Sequence, residues 1–135
     1  MDVESYLNKL EEQLLNTERV EYEKRIYAPE TPGCYIAWQK DVIIYVGETN
    51  NLKRRMKLMG QTVTHTLRVN IGKEVFGQVE GHKKRYSPEI EQKLDEYFSK
   101  NIKLSTMPVK LGRTELEELI IKKYRPKYNR SKRVK

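Results

Sequence analysis

Arg55 lies in a run of four cations, Lys53, Arg54, Arg55 and Lys57, and helical spacing turns it alone toward the protein body. At about 100° per residue, Leu52, Met56 and Met59 share one arc, which includes Arg55 and excludes the other three. A partly buried Arg needs an anion. An internal carboxylate meets that need; so does a ligand phosphate, which suits the planar, five-donor guanidinium. Glu117 repeats the pattern. Leu116, Leu119, Ile120, Ile121 and Tyr124 define an apolar side, Glu118 lies nearly opposite, and Glu117 falls at the edge of the arc. One reading is a capping box, in which Glu117 bonds the backbone N–H of Thr114 three residues earlier; the other is a functional carboxylate. Two tyrosine signatures accompany these residues: Gly33-Cys34-Tyr35, and, ten residues after its tyrosine, Tyr45-Val46-Gly47. Cys34 is the only cysteine, so an intrachain disulfide is excluded and a reducing, cytoplasmic setting is expected. Its place between Gly33 and Tyr35 suggests a nucleophile, but a small buried strand residue is the expected role.

The elements that must position these groups follow from periodicity and breakers. Residues 2–24 read as a helix, with Tyr6, Leu7, Leu10, Leu14 and Leu15 at helical spacing and Asp2 or Ser5 as its start. Its stripe is expected to pack on the domain rather than on a second copy. Thr31-Pro32-Gly33 breaks the chain before a strand from Cys34 to Gln39. Lys40-Asp41 turns it into a β-branched strand from Val42 to Val46, ended by Gly47. Asn50-Asn51 opens the Arg55 helix, which reaches about Met59. Residues 60–87 have no clear period and read as an irregular excursion with one short element. Pro88–Lys100 is a helix with Ile90, Leu94, Tyr97 and Phe98 on its apolar face. Ile102–Leu111 is a third strand. Gly112 and Thr114 introduce the Glu117 helix, which ends before Pro126.

A length of 135 residues suits one core. The net charge of +8 is uneven: residues 122–135 hold eight Lys or Arg and no acid, and the remainder balances. A basic terminal stretch attracts an anionic polymer through counterion release, although it also fits a solvated tail. No apolar run of about 18 residues offers a membrane span, no amphipathic basic helix argues for a membrane surface, and the acidic N-terminus does not read as a signal peptide.

The ordered set of short motifs resembles the catalytic domain of the GIY-YIG nucleases over residues 31–129. Tyr45-Val-Gly is followed by a polar stretch and then Arg55, eight residues past Gly47; Glu117 precedes Asn129 by twelve, within Arg125-Pro126-Lys127-Tyr128-Asn129. The resemblance implies an α/β (α+β) fold: a small, mainly antiparallel three-stranded sheet flanked by helices, with the tyrosine strands as a hairpin. It also implies roles. Tyr35 and Tyr45 would face the scissile phosphate, with Tyr35 as general base. Arg55 would bind the phosphate and stabilise its extra charge, Glu117 would ligate one divalent ion, Mg²⁺ with Mn²⁺ able to substitute, and Asn129 would help position the site or the substrate backbone. His65 is the candidate for the histidine or tyrosine that follows the arginine, ahead of His82 and Tyr86. Lys53, Arg54, Arg68, Arg130, Lys132 and Arg133 are the candidate nucleic-acid contacts.

The expected organisation is an N-terminal helical arm (1–27), a nuclease-like domain (28–129) with a variable insertion at 60–87 suited to a target-reading loop, and a basic tail (130–135). The expected function is metal-dependent hydrolysis of phosphodiester bonds in double-stranded DNA, as a restriction, phage or mobile-element enzyme. The alternatives are a structure-specific repair nuclease and a non-cleaving DNA-binding module of the same fold. A ribosome-associated or RNA-binding protein would explain the charge but not the paired motifs. A homodimer is left open.

Overall fold

A computed structural model describes residues 2–22, 28–59, 65–77 and 86–129. Helix α1 (Val3–Leu15) starts where the Asp2 carboxylate accepts the Ser5 N–H at 2.7 Å. It does not continue to residue 24. Asn16 closes it as C-cap, the Thr17 hydroxyl donates back to Gln13 O at 2.8 Å, and a short strand β1 (Val20–Glu21) follows. Asn and Thr bond nearby backbone as readily outside a helix as within one, which makes them natural terminators.

Strands β2 (Gly33–Gln39) and β3 (Val42–Thr49) form the expected hairpin across Lys40-Asp41, where Lys40 takes a positive φ of 56°. Helix α2 (Leu52–Leu58) is capped by Asn51, whose side chain accepts the Arg54 N–H. Then come α3 (Thr66–Phe76), α4 (Pro88–Asn101), β4 (Lys103–Pro108), α5 (Arg113–Tyr124) and a 3₁₀ turn at Lys127–Asn129. The sheet has four strands rather than three, all antiparallel, in the order β1-β4-β2-β3. The unforeseen strand is β1, only two residues long and paired to Leu104 and Lys103. β4 is shorter than the expected 102–111. The expected excursion at 60–87 contains the 11-residue helix α3, and residues 60–64 and 78–85 lie outside the described residues.

β2 sits between β3 and β4 and is buried on both faces. Alternation sends Tyr35 and Ala37 to one face, against α2, α3 and α4, and Cys34, Ile36 and Trp38 to the other, against α1 and α5. The β2–β3 register slips between Ala37 and Trp38, so that Ala37 pairs with Tyr45 and Trp38 with Ile43. This bulge places Ile44 and Tyr45 together in the first core.

Candidate active site

Each motif glycine makes room for a close neighbour. Gly47 does not end β3. It pairs with Tyr35, and a Cβ there would meet Tyr35 Cζ at 2.4 Å, so the Tyr35 ring lies flat across Gly47. A Cβ on Gly33 would meet Met107 O at 2.3 Å and Leu52 Cδ1 at 2.5 Å, so Gly33 lets β4 and the start of α2 close on β2.

α2 is fixed at its N-terminus by more than its cap. Leu52 N–H donates to Thr31 O at 2.8 Å and Lys53 N–H to Pro29 O at 3.0 Å. Leu52, Met56 and Met59 are buried, and Arg55 is half-buried beside them while Lys53, Arg54 and Lys57 are exposed, as the spacing predicts. Arg55 Nε donates to the Tyr35 hydroxyl at 3.2 Å. A phenol, rather than an internal carboxylate, therefore receives its Nε–H.

His65 reaches the same oxygen from α3, where it is the N-cap. Its Nδ1 accepts the Leu67 N–H at 3.2 Å, which assigns the neutral ring's proton to Nε2. Nε2 lies 3.2 Å from the Tyr35 hydroxyl, and so donates to it. The Tyr45 hydroxyl interacts with both Tyr35 and Arg55. The three rings form a triangle, with centroids 6.1 Å apart for Tyr35–Tyr45, 6.1 Å for Tyr35–His65 and 5.9 Å for Tyr45–His65.

Tyr35 is 1% exposed, and burial pushes its phenol well above the ordinary value; Tyr45 adds to that shift and Arg55 opposes it. Tyr35 is thus neutral at pH 7. With two N–H donors on its oxygen, both lone pairs are engaged while its proton remains. It becomes a proton acceptor only as the phenolate, the form that the same two donors stabilise.

Asn129 closes the site from behind. Its side-chain oxygen accepts the Val46 N–H at 2.9 Å and its amide donates to Val46 O at 3.0 Å. β3 is an edge strand, and this bidentate clasp fixes the residue between Tyr45 and Gly47. Asn129 is fully buried, so it supports the site and does not meet a substrate backbone.

Glu117 is half-buried on α5 and Glu118 exposed. The capping box is absent: the N-cap is Gly112, with φ 91°, and Thr114 lies inside the helix. Glu117 acts from the α5 side of the sheet, where its carboxylate bears on Cys34. That thiol is fully buried and pushed up to about 12, first by burial, then by Glu117 and Glu48, against Arg113. Cys34 is accordingly no nucleophile. Glu48, which the motif reading passed over, pairs with Arg113 at 3.3 Å; its register opposite Cys34 is the signal that places it there. Among the described residues no three His, Cys, Asp or Glu side chains form a ligand cage. A half-buried carboxylate without a cage fits Mg²⁺, which keeps several waters, better than a closed structural site.

Several expected contacts do not join this cluster. Arg68 is not a phosphate contact. It is 1% exposed and paired with Glu91 at 2.9 Å and Asp95 at 3.0 Å on α4. Glu91, Leu94, Asp95 and Phe98 share one helical arc, so two acids at core positions were the sequence signal for a buried cation. Tyr86 is buried too, its hydroxyl donating to Val69 O at 2.8 Å, which makes it a helix-packing residue. Tyr124, assigned to an apolar side, is 38% exposed and donates to Glu11, a buried acid of α1. His82, Arg130, Lys132 and Arg133 lie outside the described residues.

No family model matches the sequence. UvrABC system protein C of Mesoplasma florum is 31% identical over 102 residues, covering 75% of this chain; the chain spans 13% of that protein's length. Among solved structures, the GIY-YIG N-terminal endonuclease domain of UvrC from Thermotoga maritima, bound to its catalytic divalent cation magnesium, is 25% identical with a TM-score of 0.43, over 96% of this chain and 99% of that one. A point mutant of the same domain is 24% identical with the same TM-score and coverage. With its two tyrosine motifs meeting Arg55 and His65 on one sheet face, and with this sequence relative, the chain belongs to the GIY-YIG superfamily.

Proposed function

We propose that this protein is a divalent-metal-dependent DNA endonuclease. The observation that carries the reading is the convergence of Arg55 Nε and His65 Nε2 on the Tyr35 hydroxyl, each at 3.2 Å. Two N–H donors on a buried phenol stabilise its ionised form, and an ionised phenol can take a proton from water. Arg55 is half-buried, and its planar guanidinium matches the geometry of a phosphate.

In this reading the Tyr35 phenol first releases its own proton to solvent, a loss that burial opposes and the Arg55 donor favours. The phenolate then takes a proton from a water oriented at the Tyr35–Tyr45 pair. The water oxygen bonds phosphorus as the bond to the leaving 3′ oxygen breaks. Arg55 balances the charge gathering on the phosphate, and His65 holds the Tyr35 oxygen in place through Nε2–H. Glu117 would hold the divalent ion, which supplies Lewis-acid stabilisation of the phosphate and leaving group. Lys53 and Arg54, exposed on the outer face of α2, would meet the backbone phosphates of duplex DNA.

The UvrABC-system relative favours a repair nuclease acting on a particular DNA structure over a restriction or mobile-element enzyme. The test is incubation of purified protein with supercoiled, linear, branched, nicked and single-stranded DNA, with Mg²⁺, with Mn²⁺ and with EDTA. Metal-dependent nicking or cleavage supports the reading. Binding without cleavage of any substrate would replace it with the DNA-binding-module alternative.

A further inference from the structure

The mechanism leaves the buried charge of Arg68 unused. Arg68 lies in the first turn of α3, one helical turn after His65. Its Nε donates to Glu91 Oε1 at 3.3 Å, and one terminal nitrogen reaches Glu91 Oε1 at 2.9 Å, Glu91 O at 3.1 Å and Asp95 Oδ1 at 3.0 Å. Its guanidinium also faces the Phe98 ring, 5.8 Å from the centroid. All of these partners are on α4.

Besides this grip, α3 meets α4 through the Phe76 ring, edge-on to Tyr97 with centroids 6.4 Å apart, and Glu74 pairs with Lys127. Leu67 and Ile71 are its only fully buried large apolar side chains among the described residues. Apolar burial is non-directional and tolerates sliding, whereas a guanidinium gripped by two carboxylates and a carbonyl has a set geometry. The same cluster ties in a second contact to α3: Glu91 Oε2 accepts the Tyr86 N–H at 3.0 Å, and the Tyr86 hydroxyl donates to Val69 O. The Tyr86 ring lies so close over Gly72 that a Cβ there would meet it at 2.4 Å. Buried ion pairs contribute little net stability, but they can select one arrangement among similar ones.

We propose that Arg68 is a positioning residue: its ion triad with Glu91 and Asp95 sets the register of α3 against α4 and thereby holds His65 Nε2 on the Tyr35 hydroxyl. The catalytic consequence rests on the nuclease reading above; the positional one does not.

The test uses the full chain with Arg68→Met, Glu91→Gln and Asp95→Asn combined, which removes all three charges together and leaves none stranded. The first readout is exchange of the His65 Nε2–H with water, followed by ¹⁵N-edited NMR. It should accelerate by about 10-fold or more as the contact opens locally. The second is single-turnover cleavage at saturating DNA, which should fall by about 10–100-fold through misplacement of the site. The same triple change in a His65→Ala background should cost less than about 2-fold, because its effect passes through His65. Unchanged Nε2–H exchange in the folded variant overturns the proposal. So does an equal rate loss with and without His65, which marks a general structural role. Should the triple variant fail to fold, Arg68→Lys, which keeps the charge and loses the fork, must still accelerate the exchange; unaltered exchange there overturns the proposal as well. If the wild type cuts no DNA, the exchange measurement decides alone, and the failure belongs to the nuclease reading.

Discussion

His65 donates its Nε2 proton to the Tyr35 hydroxyl across 3.2 Å, and the capping bond at its Nδ1 fixes that direction. The pair joins the helix-capping requirement of α3 to the protonation state of the central tyrosine. A histidine that both caps a helix and supports a phenol has its tautomer set by the fold.

The burial of that phenol predicts an alkaline instability. Burial raises the Tyr35 phenol above the ordinary value of about 10. A raised folded-state value gives stability that is complete below about pH 10 and is lost as pH rises through the folded value. Tyr22 and Tyr128 are raised by burial as well, so several phenols contribute. Tyr35→Phe should reduce the slope of stability against pH, above about pH 10, by roughly one proton. Urea unfolding across that range measures it; an unchanged slope would mean that Tyr35 titrates as it does in the unfolded chain.

Asn129→Ala should cost roughly 2–4 kcal/mol, because it strands both the buried N–H and the buried C=O of Val46. Asn129→Asp, which keeps the acceptor but sets a buried carboxylate oxygen against the Val46 carbonyl, should cost more. The midpoint of denaturant unfolding reads both. Equal effects would assign the stabilisation to packing instead of the clasp.

Glu117→Ala should leave stability within about 0.5 kcal/mol, since Gly112 and not Thr114 caps α5 and no capping box is lost. Metal-dependent cleavage should nonetheless disappear while DNA binding persists. Glu118→Ala should affect neither. Calorimetry and cleavage on the same preparations separate the two roles; a Glu117→Ala protein that melts early yet still cuts would make this carboxylate structural.

The hairpin, the inward turn of Arg55 and the half-buried placement of Glu117 were legible in the sequence because each depends on local periodicity. The parts that were not depend on tertiary partners. β1 is two residues long and has no period to read; it exists because Leu104 and Lys103 present a free edge to Val20 and Glu21. β3 runs through Gly47 because the Tyr35 ring fills the space where a side chain would be. Arg68 looked like a phosphate contact by proximity to His65, and only the two acids in the α4 core arc reveal where its charge goes. Asn129 was found through its motif, but its partner is backbone, which no side-chain pattern announces.

Duplex binding should distinguish the exposed cations from the buried one. Lys53→Ala with Arg54→Ala should lower the slope of log K against log salt by about 0.9 for each phosphate contact removed. Arg68→Lys should leave that slope unchanged, because Arg68 faces α4. Binding titrations over a range of salt concentrations give the slopes; a shallower slope for Arg68→Lys would return it to the DNA interface.

The central claim is that the Tyr35 oxygen takes the proton from the attacking water. Single-turnover cleavage at saturating DNA and metal, comparing Tyr35→Phe with Tyr45→Phe, tests it most directly. Tyr35→Phe keeps the ring against Gly47 and removes only the hydroxyl on which Arg55 and His65 converge. The rate should fall by about 10²–10⁴-fold for Tyr35→Phe, and less for Tyr45→Phe, with DNA affinity and the metal requirement intact in both. Near-normal cleavage by Tyr35→Phe, or a covalent DNA adduct trapped on Tyr35 in the wild type, would contradict it.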